Sequence, residues 1–178
     1  VPGNHDIKNA PTSTTLSYFR ENFGPDYQSF THKGVKFILT NTSLWKNPVK
    51  GETEKQNAWL RGELSEAREE ELPVIVAGHY APFMESPDEE EGYFSLPLEP
   101  RTMLMNLFEQ SGVAAVLSGH AHKNNINTHE GIEYVTSATT SRNFDEAPMG
   151  YTLWHIEGDP PYRYEYVAIE GAEDPGPA

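Results

Sequence analysis

Apolar residues along this chain recur with two spacings, and each predicts a kind of element. Between about Glu54 and Glu70, Trp59, Leu60, Leu64 and Ala67 return among charged neighbours at helical intervals, which predicts a surface helix with one buried side. Arg101 to Gln110 repeats the pattern with Met103, Leu104, Leu107 and Phe108. A shorter helix carries Leu16, Phe19 and Phe23 on one side, with Thr12 or Ser13 capping its start and Gly24-Pro25 ending it. Val74 to Ala77 and Val113 to Leu117 are instead unbroken apolar runs too short for helices, the mark of strands buried on both faces. With the Arg101 helix between them they read as a strand, helix, strand crossover.

Tyr27–Thr31 and Val35–Asn41 read as strands around a Lys33-Gly34 turn. A polar loop with Pro48 and Gly51 follows them. Later strands are expected at Asn125–Thr128, Ile132–Thr136, Tyr151–Ile156 and Arg163–Ile169, with turns at Glu130-Gly131 and Asp159-Pro160-Pro161. Neither an internal repeat nor a linker divides the chain. The reading is one domain over 1–169, a two-sheet α/β sandwich with histidines at one end, and a frayed acidic Gly/Pro tail over 170–178.

Composition narrows the function. Thirteen Lys and Arg against 27 Asp and Glu give a net charge of −14, which repels a phosphate backbone and argues against nucleic-acid binding. No apolar run approaches the roughly 18 residues of a membrane span. The lack of cysteine removes disulfides and thiolate metal sites and fits any redox compartment. The chain reads as soluble; a start at Val1 would hide any signal peptide, so localisation stays open with the cytoplasm the preferred reading, and oligomeric state is open as well.

The candidate chemistry lies in three clusters: Asn4-His5-Asp6, Gly78-His79-Tyr80 and Gly119-His120-Ala121-His122. A glycine before each permits a tight turn just past a strand, so the next side chains can share one crevice. Imidazole suits first-row divalent metals, and an Asn carbonyl is a neutral oxygen donor. On an extended segment His120 and His122 would point to the same side, serving two adjacent metals or one.

GNHD at 3–6, GHYAPF at 78–83 and GHAH at 119–122, in this order, resemble the later motifs of the calcineurin-like metallophosphoesterase superfamily. DIKNAPT, FILTNTSLWKNP and the Trp59 helix are similar to its branch of calcineurin-like phosphoesterase domain-containing proteins. The resemblance implies a four-layer α/β/β/α sandwich and two divalent ions, Mn, Fe or Zn. By motif, Asn4, His79 and His120 resemble the ligands of one ion and His122 a ligand of the other. His5 resembles the imidazole that contacts phosphate and protonates the leaving oxygen, and Asp6 its supporting partner. Two such ions roughly 3.5–4 Å apart can neutralise a phosphoryl group and activate a water, and imidazole can supply the proton near neutrality.

The family also places Asp-x-His and Gly-Asp motifs upstream of GNHD. No Asp-x-His occurs in the chain, and Gly158-Asp159 precedes two prolines, where a turn is the better reading. The expectation is an amino-terminally truncated portion lacking about 60 residues of strand-helix units, with Val1-Pro2 as the end of a core strand. Such a portion is expected to have little or no phosphatase activity of its own.

The leading function is hydrolysis of phosphomonoesters, on small molecules or phosphoproteins. The alternatives are a phosphodiesterase acting on cyclic nucleotides or glycerophosphodiesters, and a non-catalytic scaffold of the same fold. His32, His129 and His155 read as surface or packing residues. Asp88 to Glu91 reads as a solvated loop before a lid edge, and Arg101 as a helix cap before a phosphate contact.

Overall fold

The computed structural model describes residues 1–157 and 161–172. The expected turn at Asp159-Pro160 and the tail from 173 onward lie outside the described residues. In chain order the elements are α1 (Asn4–Ile7), α2 (Ser13–Phe23), β1 (Gln28–His32), β2 (Val35–Leu39), α3 (Ser43–Lys46), α4 (Glu52–Glu69), β3 (Val74–Ala77), α5 (Leu98–Gln110), β4 (Val113–Ser118), β5 (Asn125–His129), β6 (Ile132–Thr136), β7 (Gly150–His155) and β8 (Arg163–Ala168).

Six strands form one sheet in the order β1-β2-β3-β4-β6-β5, and β7-β8 form a second. The pairs from β2 to β4 and on to β6 are parallel; β1-β2, β5-β6 and β7-β8 are antiparallel. The β1-β2 and β5-β6 hairpins turn at Lys33-Gly34 and Glu130-Gly131, all four residues at positive φ, as two-residue turns that match strand twist require.

Helices α4 and α5 cover one face of the large sheet, where Leu60, Leu64, Leu104 and Phe108 pack on Ile38, Val74, Val76 and Val116. On the other face Val35, Ile75 and Ala115 meet Trp154, Tyr162 and Tyr164 of the β7-β8 region. Strands β3 and β4 are thus covered on both sides, which explains their unbroken apolar sequence. Helices, sheet and second sheet make three of the expected layers; the outward side chains Tyr151 and Leu153 are exposed. Among the described residues, no helix is long and apolar enough to cross a membrane.

Several local expectations change. Val1 and Pro2 belong to no strand. Helix α5 begins three residues before Arg101, because Pro100 sits in its first turn, where no backbone donor is needed. Its buried side is Arg101, Leu104, Met105 and Phe108, with Met103 and Leu107 only half-buried. Phe23 is exposed and touches Phe19 at the end of α2, whose start Thr12 caps through Thr15 N.

Candidate metal centre

Parallel pairing of β3 and β4 sets Ala77 beside Leu117, so the segments carrying His79 and His120 leave the sheet together. Gly78 N donates to Leu117 O at 2.9 Å and Gly119 N to His79 O at 3.0 Å, extending that register past the strand ends. Residue 78 must be glycine, because a Cβ there would run into Thr42 Cγ2. The Thr42 hydroxyl accepts the next two amides, His79 N at 3.0 Å and Tyr80 N at 2.8 Å.

The third segment of the site is α1, a single helical turn. Asp6 Oδ2 accepts Gly3 N at 2.7 Å and closes the turn from its start. Asn4 is buried, and its Nδ2 donates to Asn9 Oδ1 at 2.8 Å, which orients the amide. Asn4 Oδ1 then faces His79 Nε2 at 2.7 Å, and that nitrogen lies 3.1 Å from His120 Nδ1. The His79 ring rests on the bare Cα of Gly3: a Cβ there would stand 2.9 Å from His79 Cε1.

Burial pushes His79 down to about 4, against the opposing pull of the Asp6 charge. Burial likewise takes His120 to about 4, with the His79 ring adding to it and the Tyr93 carbonyl opposing it. Both rings are therefore neutral at neutral pH. His120 Nε2 is buried without a hydrogen-bond partner among the described residues. Two neutral imidazoles and an amide oxygen, brought together in a buried spot, fit the donor set of one divalent ion.

His122 does not join this trio. His120 and His122 have φ of 60° and 50°, with Ala121 N donating to Gly119 O at 2.6 Å between them. The segment is a tight turn, so the expectation of an extended run with both rings on one side is corrected. The His122 ring stacks on Phe144 at 5.0 Å, and its Nδ1 lies 2.7 Å from Arg142 O. That carbonyl accepts from Nδ1–H and leaves Nε2 as the nitrogen with a free lone pair. Among the described residues no group of three or more His, Cys, Asp and Glu gathers, since the third donor of the trio is Asn4. His5 is exposed beside Asn4, and Asp6 is exposed with its carboxylate on Gly3 N.

The sequence reading missed the residues that frame the site. Tyr93 and Phe94 lie 4.8 and 5.8 Å from the His120 ring. The loop that carries them is held from below. Arg101, fully buried, donates to the carbonyls of Leu96, Pro87 and Glu89, so it neither caps α5 nor reaches the crevice. Glu89 accepts Met84 N, Glu85 N and the Ser95 hydroxyl, and Glu91 accepts Leu98 N at the start of α5. Within the acidic run Glu89 is thus an internal brace, while Asp88, Glu90 and Glu91 are exposed, as a solvated loop requires. Lys46 donates to Gly92 O and Ser95 O and lies over the Tyr80 ring at 5.6 Å. No local signal marks Lys46 for this task, because its partners are backbone carbonyls 46 and 49 residues away.

The family model described as calcineurin-like phosphoesterase matches residues 1–124, which contain all three histidine clusters. The chain is 38% identical over 182 aligned positions to the proteins named serine/threonine-protein phosphatase CPPED1 of Pongo abelii and Homo sapiens. Those alignments cover 98% of this chain and 58% of each relative, so the chain spans little more than half their length. Among solved structures it resembles the Plasmodium inner-membrane-complex anchor GAP50, with a TM-score of 0.62 at 18% identity over 84% of this chain and 51% of that one. It also resembles a dimetal phosphatase of Danio rerio, with a TM-score of 0.55 at 14% identity over 76% of this chain and 59% of that one. The match over residues 1–124 and the identity to the two phosphatases place this chain in the calcineurin-like phosphoesterase family.

Proposed function

We propose that the protein is a metal-dependent hydrolase of phosphoric esters that acts on phosphomonoesters. The observation that carries this reading is the meeting of Asn4 Oδ1, His79 Nε2 and His120 Nδ1 within 2.7 and 3.1 Å of one another. These three residues would hold one divalent ion, Mn, Fe or Zn, and His122 Nε2 would offer a ligand to a second. When bound, such ions neutralise phosphoryl oxygens and lower the pKa of a water.

The chain's own residues supply the rest. His5, exposed in the same helical turn as Asn4, gives its ring proton to the ester oxygen as the P–O bond breaks. Asp6 holds the start of that turn through Gly3 N, which keeps His5 and Asn4 in a fixed relation. Asn9 keeps the Asn4 oxygen turned inward. The phosphatase names of the relatives support phosphoproteins among the substrates.

Hydrolysis of an aryl phosphate and a bis-aryl phosphate with added manganese, by this chain and by a form that carries the family's Asp-x-His and Gly-Asp motifs ahead of GNHD, tests the reading, turnover being expected of the longer form. The monoester should be the better substrate, and His5→Ala should lower kcat by about 10²–10⁴-fold with metal binding retained. Preference for the diester would favour a phosphodiesterase. Tight manganese binding by the longer form without turnover of either would favour a scaffold.

A further inference from the structure

Three aromatic side chains form a continuous arc beside the histidines. Tyr93 lies 4.8 Å from the His120 ring, Phe94 lies 5.3 Å from Tyr93, Phe144 lies 6.4 Å from Phe94, and Phe144 stacks on His122. The two ends of the arc face solvent: Tyr93 is 55% exposed and Phe144 60%. Exposed aromatics scattered singly need no explanation, but these adjoin one another and touch the rings of two family-motif histidines.

They are also held in place rather than left on loose loops. Lys46 and Arg101 grip the carbonyls on either side of Tyr93 and Phe94. Phe144 N donates to His122 O at 2.7 Å, and its neighbours Asn143 and Asp145 accept from Thr139 N and Asn124 N at 2.7 and 2.9 Å. A flat apolar surface fixed in this way is preorganised for a partner that stacks.

We propose that Tyr93, Phe94 and Phe144 are the wall of a substrate subsite that receives a flat, uncharged apolar group attached to the phosphoester. This rests on the phosphoester reading and adds to it the class of substrate. Charge favours the uncharged group. Glu85, Asp88, Glu89, Glu90 and Glu91 share the segment with Tyr93 and Phe94, which has no Lys or Arg between 84 and 97. Asp145 and Glu146 follow Phe144 and outnumber Arg142 before it, and Lys46, the cation against the Tyr93 segment, is engaged by the Gly92 and Ser95 carbonyls. A second anion on the substrate would meet their field.

Titration calorimetry of the manganese-loaded protein with phenylphosphonate and methylphosphonate, which cannot be hydrolysed, tests this without turnover. Wild type should bind the phenyl compound about tenfold more tightly, the scale of an aromatic stacking contact. Tyr93→Ala should bring the two within about twofold, and Tyr93→Phe should keep the preference; thermal unfolding of each variant checks that the fold is intact. A phosphoserine peptide with Phe beside the phosphoserine, against the same peptide with Gly, separates the sources. Preference confined to the phosphonates assigns the group to the esterified alcohol, and preference among the peptides assigns it to a neighbouring side chain. Equal binding of both phosphonates by wild type, or loss of the preference in Tyr93→Phe, overturns the subsite alone. Binding of neither overturns the phosphoester reading and the subsite with it.

Discussion

Arg101→Met should unfold the brace under the Tyr93 loop while leaving the sheet intact. The guanidinium is fully buried and reaches Leu96 O from Nε at 3.2 Å and from Nη2 at 2.8 Å. From Nη1 it reaches Pro87 O at 3.0 Å and Glu89 O at 2.8 Å. Methionine matches the stem in length and flexibility, so the cavity contribution is small. The loss is therefore that of three carbonyls deprived of their donor, each worth about 1–3 kcal/mol when left unsatisfied, together with the ion pair from Nη2 to Glu89 Oε1 at 3.8 Å. Removing a buried charge returns several kcal/mol of desolvation, and Pro87 and Glu89, being half-buried, can turn toward water. The net loss is about 3–4 kcal/mol, and at about 2–4 °C per kcal/mol for a domain of this size Tm should fall by about 6–16 °C. Circular dichroism at neutral pH reads it, and manganese titration should show weaker binding, because the Tyr93 and Phe94 rings packed against His120 move with the loop. A Tm within 2 °C of wild type with unchanged manganese affinity would mean that Glu89 and Lys46 hold the loop without Arg101.

Gly3→Ala should weaken manganese binding by about 10–100-fold, the range for losing support behind a ligand, because its Cβ would stand 2.9 Å from His79 Cε1. Calorimetric titration measures it, and unchanged affinity would remove His79 from the ligand set. Glu89→Gln tests the brace through pH. Burial pushes the Glu89 carboxyl up, but the Ser95 hydroxyl and the amides of Glu85, Met84 and Ser86 outweigh it and leave the group below its ordinary 4.5. A lowered folded pKa adds stability that is present above the ordinary glutamate value and disappears as pH falls through the folded one. The variant should therefore be less stable than wild type at pH 7, with the gap closing as pH falls below the ordinary glutamate value; a gap that does not change with pH in thermal unfolding would contradict this.

How much could be read in advance depended on whether a residue's partner was near in sequence. The runs at 74–77 and 113–117 declare buried strands by composition alone, and each strand is followed by a Gly-His pair. The helix of Leu60 and Leu64 was evident from its spacing, and only its start moved, to Glu52, where Glu54 accepts Gly51 N. Trp59 proved half-buried, packed on Tyr27 at 4.7 Å, while Gln56 is the fully buried neighbour, bonded to the backbone of Asn41. The one-turn helices at Asn4–Ile7 and Ser43–Lys46 were not legible, because four residues hold no periodicity. The turn at 119–122 was misjudged for a related reason: left-handed backbone at two histidines is imposed by surroundings that the local sequence does not name. The aromatic arc joins residues 93, 94 and 144, and nothing local links them.

The meeting of Asn4, His79 and His120 also says when in folding the centre can exist. The first two lie 75 positions apart and the last two 41, so an unfolded chain holds no ready cluster for an ion to capture. The donors assemble only after β3, α5 and β4 have docked and the amino-terminal turn has closed over them. Contacts of such long range are late and slow to form. An ion added during refolding should thus act as a clock for the last step, binding at the rate at which native structure appears and then holding three distant stretches of chain in place.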